Sequence, residues 1–154
     1  MKASLLDRLI DNTLDTGVPF SPGGGISFGQ LRSALERDLE NLLNSRCFPE
    51  DIPESFTEVW KSLLLYGLAD LTTRNVTTPS GRSGLCQEIE RSIALFEPRL
   101  HNVLVRLEIR SENDRRLMFK ISALLYLNKE QNEHVNFDIY FDSNRGEYNV
   151  DRLK

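Results

Sequence analysis

Three carboxylates, Glu88, Glu90 and Glu97, are the first residues of this chain whose type and spacing invite a chemical reading. Two carboxyl groups facing one glycosidic bond, roughly 5 to 9.5 Å apart, would suit its hydrolysis. The spacing speaks against it. Residues two apart on a helix differ by about 200° in direction, so Glu88 and Glu90 point to nearly opposite sides, while Glu97 stands about 10.5 Å further along the axis than Glu90. With no apolar pocket to raise one pKa, the three read as acids of a solvated helix face and not as an acid and a base.

The other reactive types are sparse. Cys47 and Cys86 form no Cys-x-x-Cys pair, Cys86 falls beside an apolar helical stripe, and ordinary packing is expected of both. His101 and His134 lack the spaced cysteines or clustered carboxylates of a metal site, so neither metal nor cofactor is expected. Gly23-Gly24-Gly25 precedes a helix but lacks the Gly-Lys-Ser/Thr ending and a preceding strand of a phosphate loop, and reads as a flexible loop.

Glu97-Pro98-Arg99 is different in kind. Pro98 has no N–H and biases Glu97 away from helical geometry, so two opposite charges flank a sharp, rigid corner. The bland alternative is a helix stop with a local Glu97–Arg99 pair, worth roughly 0 to 1 kcal/mol if exposed. The functional one holds the planar donor fork of Arg99 outward to grip a partner's carboxylate or carbonyls.

The elements around the corner follow from periodicity. Ser4 caps a short helix through about Leu14, and Asp15 to Gly25 is a Gly/Pro-rich loop. Ser27 and Gln30 form a capping box, with Ile26 stapled on Leu31, for a helix whose stripe is Phe28, Leu31, Leu35, Leu39 and Leu42. Pro49 and Pro53 end that region. A third helical segment spans Phe56 to Leu68 with Val59, Trp60, Leu63 and Leu64 apolar, stopped or turned at Gly67. Leu85, Ile89, Ile93 and Phe96 define a fourth helix. Beyond Pro98 the period becomes two: Val103, Val105, Leu107 and Ile109 alternate inward, then Leu117 to Leu125 after a polar turn at Ser111 to Arg115, then Val135, Phe137, Ile139 and Phe141. A last turn at Asp142 to Gly146 leads into Glu147 to Val150. The expectation is one α+β domain over 1–154, mainly helical over 1–98 and mainly strands over 99–154, with helices on one face of an antiparallel meander.

Composition narrows the function classes. At 40% hydrophobic and 27% charged, the 154 residues match a folded globular chain and not a disordered one. A net charge of −4 argues against a dominant nucleic-acid or anionic-membrane role. No apolar run approaches the roughly 20 residues a spanning helix needs, so no direct membrane insertion is expected. Nothing near the start looks like a secretory signal, and a reducing cytoplasm is the expected compartment.

Phe96-Glu97-Pro98-Arg99-Leu100, with Leu43-Asn44-Ser45-Arg46 after the second predicted helix and Ser62, Tyr66-Gly67-Leu68 and Asp70 before the fourth, resembles the TssE family of type VI secretion systems. That family is related to a baseplate wedge protein of contractile phage tails. The chain departs at Ala69, where the family commonly has proline, which predicts a less rigid turn. The resemblance implies a structural, non-enzymatic baseplate component at the cytoplasmic face of the inner membrane. It implies docking through Glu97, Pro98, Arg99 and Leu100 on a helical bundle of TssF and TssG, and a C-terminal sheet that templates the first TssB–TssC sheath ring. An alternating terminal strand is an edge to be protected or used, which makes Tyr148, Asn149 and Val150 the candidate sheath contact. Acidic Glu133, Asp138, Asp142, Glu147 and Asp151 would discourage nonspecific pairing there. The rivals are a peptidoglycan hydrolase, in line with a "lysozyme-like" label that some members inherit, and a regulatory anti-adaptor module of related fold.

Overall fold

The computed structural model describes residues 28–47, 52–53, 55–69, 78–108, 116–128, 131–142 and 145–151. The predicted helix from Ser4, the glycine run, the Ser27 cap with its Ile26 staple, the turn at Ser111 to Arg115, and Asp70 lie outside these residues. Helix α1 runs Phe28–Asn44 and buries Leu31, Leu35, Leu39 and Leu42, the predicted stripe, together with Ala34 and Leu43. Phe28, at the end of that stripe, is instead exposed.

Between the two long helices, a continuous helix over Phe56 to Leu68 does not form. The chain makes a single turn, α2 (Thr57–Trp60), and a 3-10 turn at Leu63–Leu65. Leu63 is 85% and Leu64 64% exposed, so this apolar stretch never meets the core that would stabilise a longer helix. Trp60 lies against the Arg91 guanidinium, 4.1 Å from ring centroid to Cζ. Helix α3 (Pro79–Phe96) starts where Thr78 accepts a hydrogen bond from the Gly81 N–H at 3.1 Å and Pro79 takes the first helical position. It buries Leu85, Ile89 and Ile93, as the period requires, and also Ser92.

Four strands follow in spatial order β1-β2-β3-β4, all antiparallel: β1 (Leu100–Glu108), β2 (Arg116–Asn128), β3 (Gln131–Asp142) and β4 (Glu147–Asp151). Phe119, Ile121, Ala123 and Leu125 of β2 and Val135, Phe137, Ile139 and Phe141 of β3 are buried, one face of a pleated sheet at period two. Strand β1 keeps that face only by a change of phase. Leu100 pairs with Leu125 and Val105 with Ile121, so β1 carries one extra residue, and Asn102 absorbs it with φ of 52°. The bulge lets even-numbered Leu100 and odd-numbered Val105 both reach the core. The leucines of α1 and the Leu85, Ile89 and Ile93 ridge of α3 pack with these inward strand residues in one hydrophobic cluster. The architecture is α+β, with helices on one face of an antiparallel meander.

Candidate docking corner and sheet edges

Glu97 caps α3: its N–H donates to the Ile93 carbonyl at 2.8 Å, its own carbonyl accepts from the Leu100 N–H at 3.1 Å, and β1 begins three residues on. The proline between them needs no N–H partner at this apex and stays exposed. The Arg99 carbonyl accepts from the Tyr126 N–H at 3.0 Å, which ties the corner to β2.

The donor fork of Arg99 is not held outward. It folds back on Glu97, with Nε 2.6 Å from Oε1 and Nη2 2.6 Å from Oε2, and Nη2 also reaches Asp38 Oδ2 of α1 at 2.5 Å. Glu97 is only 6% exposed, so the pair belongs to the interior and not to the weak exposed class. Hydrogen bonding to Glu97 pushes the Arg99 guanidinium further up from its already high range, against the opposing effect of burial, with Asp38 adding to the rise. Tyr66 packs edge-on against Phe96, centroids 5.3 Å apart, and its phenol is raised by burial and then by the charges of Asp38 and Glu97. Of the four predicted docking residues, Pro98 is exposed, Arg99 is partly so, and Glu97 and Leu100 are buried. Asp38, 61 positions from Arg99, is a member of this network that no local pattern announces.

The two glutamates on α3 are not solvated surface acids either. Both are half-buried, and each accepts from a backbone amide: Glu88 from Ala69 at 3.0 Å and Glu90 from Val105 at 2.7 Å. With Glu97 held by Arg99, all three carboxylates raised as catalytic candidates fasten one element to another. Ala69 therefore anchors its turn to α3 by an N–H that the proline commonly found there would not have.

The strings Leu43-Asn44-Ser45-Arg46 and Tyr66-Gly67-Leu68 meet in space. Leu68 donates to the Ser45 carbonyl at 2.9 Å, Cys47 donates to the Leu68 carbonyl at 3.2 Å, and Arg46 bridges Leu68 in parallel. Ser92 of α3 donates its hydroxyl to the Gly67 carbonyl at 3.0 Å. Gly67 has φ of 115°, and a Cβ there would run into the Ser45 carbonyl, so the junction of α1, this segment and α3 requires glycine.

Both outer strands meet helix side chains along their free edges. On β1, the Val105 N–H donates to Glu90 of α3. Burial pushes the Cys86 thiol up, with the Leu107 backbone opposing and Glu90 adding. On β4, the Asn44 amide at the end of α1 accepts from the Tyr148 N–H at 2.8 Å and donates to the Tyr148 carbonyl at 2.9 Å. The predicted edge residues thus differ: Tyr148 is 4% exposed with its backbone taken by Asn44, whereas Asn149 is exposed and Val150 half-buried. His101 and His134 are exposed strand residues. No helix among the described residues is long and apolar enough to cross a membrane.

Side chains of α1 and α3 thus fasten the helices to the edges and corner of the meander. The chain belongs to the family of the baseplate wedge protein gp25, whose model matches residues 29–130. TssE proteins are the type VI secretion homologues of gp25, so this match agrees with the resemblance seen at the Glu-Pro-Arg corner. The match takes in α1, the corner and β1–β2 and stops short of β3 and β4. A search of the curated proteins gives no match. Membership makes the chain a structural baseplate protein that interacts with other baseplate components.

Proposed function

We propose that this protein is the TssE-type baseplate component of a type VI secretion system. It docks on the TssF–TssG wedge through the corner Glu97 to Leu100 and starts TssB–TssC sheath assembly from the β4 edge, at the cytoplasmic face of the inner membrane and without turnover. The observation that carries this reading is the corner itself. A bidentate Arg99–Glu97 pair, tied to Asp38 of α1, presents exposed Pro98 as a preformed, rigid apex. Preorganisation of this kind reduces the ordering cost of binding.

Co-purification with the wedge tests it. Because Glu97 and Arg99 also hold the fold, the informative substitution is at the exposed apex: Pro98→Asp, which leaves the ion pair in place, is expected to keep thermal stability near wild type and to lose wedge capture. Wild-type capture of TssF–TssG by this variant would sink the docking role.

A further inference from the structure

Helix α3 carries apolar residues on two sides. Leu85, Ile89 and Ile93 are buried in the core, whereas the exposed Ser83, Gln87, Arg91, Ala94 and Leu95 follow one another on the opposite side at helical steps of three and four. This outer side is polar at Ser83 and Gln87, as a solvent-facing side normally is, but turns apolar at Ala94 and Leu95. The exposed apex Pro98 comes three residues after Leu95, so the apolar part of the outer side is the part that runs into the corner.

A second group of exposed apolar side chains is fixed beside it. The segment from Trp60 to Tyr66 is tied to α3 at both ends, by Trp60 against the Arg91 guanidinium and by Tyr66 edge-on against Phe96. Arg91 and Phe96 are five residues apart, about 7.5 Å along the helix axis. The exposed Leu63 and Leu64 are therefore carried alongside the stretch of α3 that bears Ala94 and Leu95. Their turn is closed by the Leu65 N–H donating to the Ser62 carbonyl and the Tyr66 N–H to the Leu63 carbonyl, each at 3.2 Å. Exposed leucines clamped in place mark an interaction surface, since binding need not order them.

We propose that Leu63, Leu64, Ala94 and Leu95 form a docking surface for an α-helix of the TssF–TssG wedge, continuous with the apex at Pro98. This rests on the reading of the corner as the wedge contact and extends that contact along α3. Continuity names the partner: a body seated on Pro98 is next to Leu95, one helical step away. Spacing names its form. Arg91, Ala94 and Leu95 make a ridge at i, i+3 and i+4 that the groove of a second helix accepts, and the small Ala94 lets the two axes approach to about 8–10 Å. The leucines of the turn then border the partner helix on one side.

Full-length variants test it by capture of TssF–TssG. Leu64→Asp and Leu95→Glu change exposed positions, so Tm should stay within about 2 °C of wild type while capture falls about tenfold or more in each. Gln87→Glu, the same charge on the polar part of the same side, should capture as wild type does. A photo-crosslinker in place of Leu95 should link to wedge residues spaced three or four apart. Wild-type capture by both leucine variants overturns the proposal; if Pro98→Asp has lost capture, the corner reading then stands without it. Capture lost in the leucine variants but kept in Pro98→Asp supports the surface and removes the apex instead. Equal loss in Gln87→Glu overturns the proposal as a general effect of charge. A dimer of the isolated protein that Leu64→Asp dissolves would assign the patch to a second copy, and a Tm fall above about 5 °C in both leucine variants would assign it to another part of this chain; either overturns the proposal.

Discussion

Removing the Arg99 side chain should cost this protein more than any other single truncation at the corner. Arg99→Ala deletes two contacts of 2.6 Å to Glu97 and one of 2.5 Å to Asp38. The two carboxylates are left in unequal positions. Asp38 keeps Arg37, whose Nη2 lies 3.0 Å away, but the Glu97 side chain is 7% exposed and loses its counter-ion. Breaking a buried pair from one side costs about 3–5 kcal/mol; the Arg99 side chain is 25% exposed, which places this site near the low end, about 2–4 kcal/mol. For a chain of this size that is a fall in Tm of roughly 4–16 °C, readable by calorimetry or as a shifted urea midpoint at unchanged slope. Arg99→Lys, which keeps the charge and loses the fork, should fall between. Adding Glu97→Gln to Arg99→Ala should recover about 1–2 kcal/mol, because a neutral amide is cheaper to leave buried than an unpaired carboxylate. A loss below about 0.5 kcal/mol for Arg99→Ala, the range of ordinary surface substitutions, would refute the account of an interior ion pair.

Gly67→Ala should lose about 2–4 kcal/mol by chemical denaturation, since it forces a side chain onto positive φ and against the Ser45 carbonyl together. Alkaline pH should weaken the fold. Burial, with the charge of Glu88, raises the Tyr148 phenol above its ordinary value. The folded state then holds this proton more tightly than the unfolded state does. The resulting stability is complete below the unfolded tyrosine value of about 10 and declines as pH rises past it. Urea midpoints between pH 7 and 11 should show that decline, and Tyr148→Phe should flatten it. At neutral pH the same variant should be no less stable than wild type, because the buried hydroxyl has no hydrogen-bond partner among the described residues.

Much of the frame was legible without coordinates. Leucines at helical spacing in α1, the Leu85, Ile89 and Ile93 ridge, and the odd-numbered residues of β2 and β3 are each a local pattern with one physical solution: an apolar face turned to a shared core. Pro98 ended the helix as it must. The segment from Phe56 failed for a complementary reason. Its apolar residues satisfy a helical period, but a short helix persists only when packing supports it, and Leu63 and Leu64 stay exposed.

The residues at the candidate sites were named by the sequence alone: Glu97, Pro98, Arg99 and Leu100 from a charged proline corner, and Tyr148 to Val150 from an alternating terminal strand. Direction and partner were decided only by the tertiary structure. Whether a guanidinium points to solvent or to Asp38, 61 positions away, depends on how α1 crosses the corner, and no local pattern carries that distance. Glu88 and Glu90 looked solvated because charge and spacing describe a helix face, not what lies against it; Ala69 and Val105 arrive there through the fold. The same holds for Asn44 and Tyr148, 104 residues apart: a helix-end amide can satisfy a strand's backbone only once core packing has brought the end of α1 to the edge of β4.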